Sequence, residues 1–144
     1  MSGASKLQRA EIMRNNYVKK LGENGIRLKP TASRVVFKTD SGKTVGMPSA
    51  TERPSPKEGW FMGLPNQRYD FIVLLCQTNN AEAPLDFVFP PKFVSEIWDS
   101  LSLQYTNSQV KFDVRQRHGE YELKVKDGIN KRIQQFLGAF AILS

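Results

Sequence analysis

The sequence predicts one α/β (α+β) domain, a mixed central sheet flanked by helices, and three observations carry that expectation. Helical and strand-like hydrophobic patterns alternate along the chain in the order helix, hairpin, two or three strands, helix, hairpin, helix. One run, Tyr69 to Cys76, is apolar almost throughout, as a central strand covered on both faces requires. The chain has 144 residues, of which 40% are hydrophobic and 10% aromatic, enough for a single core and too short for two ordinary domains.

The first element is a helix from Ser5 to Leu21. Leu7, Ala10, Tyr17, Val18 and Leu21 fall on one stripe, Ser5 with Gln8 forms a capping box, and Gly22 and Gly25 stop it. Arg14 falls inside the stripe, so it has to snorkel or find a partner. Arg34 to Thr39 and Lys43 to Met47, around Asp40-Ser41-Gly42, read as a β-hairpin. Within its first strand Arg34 and Lys38 are expected on one outer face. The stretch from Pro48 to Gly59 reads as a proline-rich loop with solvated Glu52, Arg53, Lys57 and Glu58.

Trp60 to Leu64 is a strand, followed by the Pro65-Asn66 turn, the central strand, a polar turn from Gln77 to Ala83, and a strand from Leu85 to Phe89 ended by Pro90-Pro91. Pro91 suits the first turn of a helix whose Phe93, Ile97, Trp98 and Leu101 make one apolar face through to about Leu103. Val110 to Val114 and Tyr121 to Val125 alternate strictly around His118-Gly119, a second hairpin with one wet face. Asp127 caps a predicted last helix whose Ile129, Ile133, Phe136, Leu137 and Phe140 face the core.

Net charge is +7, and it is unevenly placed: residues 1–57 carry +8 and the remainder −1. Such an excess points to an anionic partner. Arg27, Lys29, Arg34, Lys38, Lys43, Arg53 and Lys57 recur through the hairpin and its flanking loops, a pattern able to track a phosphate backbone. Trp60 and Phe61 point to opposite faces, so at most one of them stacks on bases.

Several chemistries are excluded or weakened. Cys76 is the sole cysteine and His118 the sole histidine, so a disulfide, a cysteine zinc site and a histidine-pair metal motif are impossible within this chain. Ser41-Gly42-Lys43-Thr44 resembles the end of a P-loop, but Phe37 stands where the first glycine belongs and a strand follows where a helix is needed. It reads as a hairpin turn. No apolar run spans a membrane and no apolar signal core opens the chain, which predicts a cytoplasmic protein with no membrane partner.

From Ser5 to Leu103 the chain resembles the restriction-endonuclease-like, PD-(D/E)XK superfamily. The resemblance is carried by Gly59-Trp60-Phe61, the run Tyr69-Asp70-Phe71-Ile72-Val73-Leu74, and Leu85-Asp86-Phe87-Val88-Phe89-Pro90, placed after an amphipathic helix and a hairpin. It implies a nuclease-like core over residues 4–103 within the single domain 1–144, followed at 104–144 by a β-hairpin and a C-terminal helix. In that family the second hairpin strand carries Glu-x-Lys, whereas Val45-Gly46-Met47 stands there in this chain. No catalytic or metal-binding residue is therefore carried over.

The expectation is a nucleic-acid-binding protein recognising duplex DNA on a scaffold whose catalytic site is degenerate or displaced. The alternative is an active Mg²⁺-dependent endonuclease using displaced acids such as Glu11, Asp40, Glu52 or Asp70, with Mg²⁺ as cofactor only in that case. Asp86, in an apolar strand, would need partners if buried. A second alternative is an interaction subunit: Phe136, Leu137, Phe140, Ile142 and Leu143 give an apolar C-terminal helix that docks on its own domain or on a second copy as a homo-oligomer.

Overall fold

Helix α1 forms at Lys6–Glu23, and its C-terminus shows why it ends there. Gly25 adopts φ 80°, its N–H donates to the Gly22 carbonyl at 3.1 Å, and the Ile26 N–H donates to Leu21 at 2.9 Å. This closes a Schellman motif, completed by burial of Leu21 and Ile26 in the same cluster. The computed structural model describes residues 6–55, 58–79, 83–104, 108–126 and 128–144, so Ser5, the expected helix cap, lies outside them.

Eleven strands follow among the described residues, in two sheets rather than the single sheet expected. The first sheet holds β1 (Leu28–Pro30), β2 (Val36–Thr39), β3 (Thr44–Gly46), β4 (Ser49–Thr51), β6 (Phe71–Gln77) and β7 (Leu85–Phe89). Strands β1, β2 and β3 run antiparallel. β3 and β4 lie end to end, both parallel to one edge of β6, while β7 pairs antiparallel with its other edge. The predicted first hairpin and central strand are thus present, and β4 appears inside the expected loop.

The second sheet holds β5 (Trp60–Pro65), β8 (Ser102–Gln104), β9 (Gln109–Arg117), β10 (Glu120–Leu123) and β11 (Lys131–Arg132). β9 is its centre, with β5 on one edge and β8 and β10 sharing the other. β5 leaves the first sheet because only one of its faces is buried: Trp60, Met62 and Leu64 point inward while Phe61 is exposed. Alternation of that kind belongs to a sheet with one covered face. The apolar residue at every position except Gly63 hides it in the sequence. Gly59 makes the crossing at φ 67°, where a Cβ would collide with the Val114 carbonyl.

Three layers result. Helix α1 lies on the outer face of the first sheet, against Phe37, Val45, Met47, Val73, Leu75 and Val88. The opposite face, with Ile72, Leu74, Cys76, Phe87 and Phe89, packs on Trp60, Met62, Leu64, Val110, Phe112 and Val114 of the second sheet. Helix α2 (Pro91–Ile97) starts at its proline as predicted and adds Phe93, Val94 and Ile97 to the inter-sheet core. It stops earlier than expected: Leu101 is extended at ψ 150°, and β8 follows where the helix was predicted to continue. The mixed α+β class stands.

The predicted C-terminal helix does not form. Lys131–Arg132 pairs with β10 as β11, and Gln134–Phe136 and Phe140–Leu143 are single 3₁₀ turns separated by Gly138 at φ 71°. Ile129, expected in the core, is 90% exposed, and the expected cap Asp127 lies outside the described residues. The competing demand is the open edge of β7: Leu137 forms a β-bridge with Phe87, and the Gly138 N–H donates to the Asp86 carbonyl at 2.8 Å. Phe136 joins Phe89 and Phe93 at centroid distances of 5.4 and 4.6 Å, and Leu143 is buried beneath α1. The tail therefore docks on its own domain.

Candidate functional site

The basic residues of the first third separate into groups once folded. β1 and β2 pair so that Lys29 lies directly opposite Lys38. Strand alternation sets both on the face from which Val36 enters the inter-sheet core, and sets Arg27, one residue before β1, on that side too. All three are exposed. Like charges directly opposed across a ladder destabilise it slightly, and among the described residues Asp40, 3.9 Å from Lys29, is the one ion-pair partner that offsets them. Among the described residues neither Lys38 nor Arg27 has an ion-pair partner.

Lys43 stands at the tip of this ribbon. Ser41-Gly42-Lys43-Thr44 is a hairpin turn, with Gly42 at φ 83° and the Thr39 N–H donating to the Lys43 carbonyl at 2.9 Å. Arg34 is elsewhere: it lies in the turn before β2, and its Nε donates to Glu11 of α1 at 3.1 Å. It therefore does not share an outer face with Lys38. Arg53 crosses to the second sheet, where Nη2 donates to Asp113 Oδ1 at 3.1 Å and Nε to the Glu58 carbonyl at 2.8 Å. It is half-buried and tethered, not the solvated loop residue expected. Lys57 lies outside the described residues.

The candidate acids each have a different partner. Glu11 is engaged by Arg34 and Asp40 by Lys29, while Asp70 accepts the Thr44 N–H at 2.8 Å and so fixes the start of β6 beside β3. Glu52 accepts from the Asn79 N–H at 3.5 Å. No group of three or more His, Cys, Asp or Glu able to hold a metal ion occurs among the described residues.

Two buried polar groups fasten α1 to the first sheet. Arg14, 4% exposed, finds the partner its position demanded: Nη1 donates to Ser49 Oγ at 3.1 Å, and burial lowers its pKa from the usual guanidinium value. Asp86 is also buried and accepts the Tyr17 hydroxyl at 2.7 Å; burial of the phenol, and then the nearby carboxylate, drive its pKa far up. Replacing Tyr17 by Phe leaves that carboxylate without its donor. The expected result is a loss of about 1–3 kcal/mol in chemical denaturation, with α1 retained.

Of the adjacent aromatics, Trp60 is core and Phe61 is 39% exposed, as alternation requires. Arg53 and Lys111 each lie over the Phe61 ring, 5.6 Å from its centroid. Sequence reasoning passed over Lys111 because it belongs to the neutral part of the chain. Its position two residues along β9 from Asp113, the residue opposite Phe61, was legible only after pairing. Arg9 on α1 was likewise passed over; it lines a cleft of about 770 Å³ with Thr51, Arg53, Phe61 and Gln77.

No helix among the described residues is long and apolar enough to cross a membrane. Comparisons with protein-family models, with curated proteins and with solved structures each find no match.

Proposed function

We propose that this chain binds nucleic acid, gripping the phosphate backbone of duplex DNA with the β1–β2 ribbon, on a nuclease-like scaffold without catalytic acids. The observation that carries the reading is the in-register pair Lys29 and Lys38, exposed beside Arg27. Two opposed lysines cost stability in the free protein, and a phosphate between them turns that repulsion into attraction. Support for the nuclease-like scaffold is the order of α1, the β2–β3 hairpin, the doubly covered β6 and the proline-ended β7 before α2. Support for lost chemistry is the separate engagement of Glu11, Asp40 and Asp70 by cations and backbone.

Binding to a labelled duplex in a salt series tests the electrostatic mechanism. Three phosphate contacts give a slope of log affinity on log salt near about −2.7, so a fourfold rise in salt weakens binding roughly 40-fold. Affinity independent of salt would overturn it. Incubation with supercoiled plasmid and Mg²⁺ tests the rest: intact plasmid is expected, and cutting by the pure protein would replace the binding reading with the endonuclease one.

A further inference from the structure

The cleft beside α1 is separate from the ribbon. Its larger part, about 770 Å³, opens between the helix, the β4 end and Phe61, and beside it lies a smaller cleft of about 370 Å³ that reaches Ile12, Asn16 and Lys20. Arg9, Met13, Thr51 and Gln77 line both, so the two clefts adjoin along the helix. Among the described residues that line them, Arg53, Arg9 and Lys20 stand with one carboxylate, Glu52. Apolar surface is interspersed with them, including exposed Phe61 and Ile12.

We propose that these adjoining clefts hold an unpaired stretch of a nucleic-acid strand, bases against Arg53 and Phe61 and phosphates toward Arg9 and Lys20. The proposal rests on the reading that the chain binds nucleic acid, and deepens it. Alternating cations and apolar surface are what a single strand requires, since its backbone is anionic and its bases have faces to bury. Arg53 supplies the planar element. Its guanidinium lies over the Phe61 ring and is fixed by Glu58 and Asp113, so it offers a preorganised plane that loses no rotamer freedom on binding. Bases stack on guanidinium planes as on aromatic rings. Asn79 and Thr51 add amide and hydroxyl groups to the lining.

Fluorescence anisotropy of the full chain with a labelled oligothymidylate and with a duplex tests this. Arg53→Lys keeps the charge and loses the plane; Phe61→Ala loses the ring beneath it. Each is expected to weaken single-strand binding by about five- to a hundredfold, with duplex binding unchanged, and Phe61→Trp to restore it. Melting temperatures close to wild type for Arg53→Lys exclude misfolding as the cause. The Lys29→Ala/Lys38→Ala variant is expected to show the reverse pattern, weaker on duplex with the Arg53 effect on the strand intact, so the two readings fail separately. Wild-type strand affinity in Arg53→Lys and Phe61→Ala, or equal losses on strand and duplex, would overturn the proposal. Displacement by thymidine monophosphate at the strand's own affinity would overturn it in favour of a mononucleotide site.

Discussion

Truncation after Arg132 is expected to abolish the cooperative fold. The deleted residues include Ile133 and Leu143, 0% and 2% exposed, with Phe136, Leu137 and Phe140 packed against the two core clusters. Burying an aliphatic side chain contributes about 1.5–3 kcal/mol, so the two fully buried ones alone supply roughly 3–6 kcal/mol. A domain of this size is stable by only about 5–15 kcal/mol in total. The cut also strips the bridge between Leu137 and Phe87, leaving the β7 edge open to other chains. Loss of the near-ultraviolet circular dichroism signal and of a sharp melt is the expected readout, with aggregation on size exclusion. A folded truncated chain with a changed oligomeric state would instead make the tail an interface between copies.

The second large effect is Trp60→Ala, expected to cost about 3–5 kcal/mol and to lower Tm by more than about 10 °C. Trp60 is 2% exposed in the inter-sheet core, 6.0 Å from the Tyr121 ring, and its Nε1–H donates to the Gln77 carbonyl at 2.9 Å. It thus joins β5 of the second sheet to the end of β6 in the first. Trp60→Phe keeps most of the apolar contact and loses the hydrogen bond, so a cost of about 1–3 kcal/mol is expected. Equal costs for the two variants in urea denaturation would mean the hydrogen bond, not the packing, holds the sheets together.

Local pattern located most early elements but neither β1 nor β4. Helix α1, both hairpins, the doubly covered β6 and the proline start of α2 follow from spacing and turn chemistry that act within a few residues. Sheet partnership did not, because it is a property of pairs far apart: β5 reads as a neighbour of β6, yet Trp60 to Pro65 pairs with Gln109 to Val114. The tail misled for a related reason. Ile133, Phe136, Leu137 and Phe140 have helical spacing, but a β7 edge needing a partner and two glycines outweighed local propensity.

The interface was legible as a charge excess and illegible as a surface. Of seven cations chosen by composition, Arg27, Lys29 and Lys38 gather on one face, whereas Arg34 and Arg53 turn to Glu11 and Asp113. Register decides this, and only pairing of β1 with β2 sets Lys29 against Lys38. Asp113 gave no sign in the sequence that it would hold both Arg53 and Arg115, at 3.1 and 3.0 Å.

The central claim is that the ribbon lysines, not net charge alone, hold the phosphates. The most direct measurement compares duplex binding across a salt series for Lys29→Ala/Lys38→Ala and for a control of equal charge, Lys92→Ala/Lys126→Ala, at exposed sites on α2 and after β10. Loss of two phosphate contacts reduces the magnitude of the salt slope by about 1.8, and only the ribbon variant is expected to show it. Equal slopes in the two variants would contradict the account and return the +7 charge to a non-specific role.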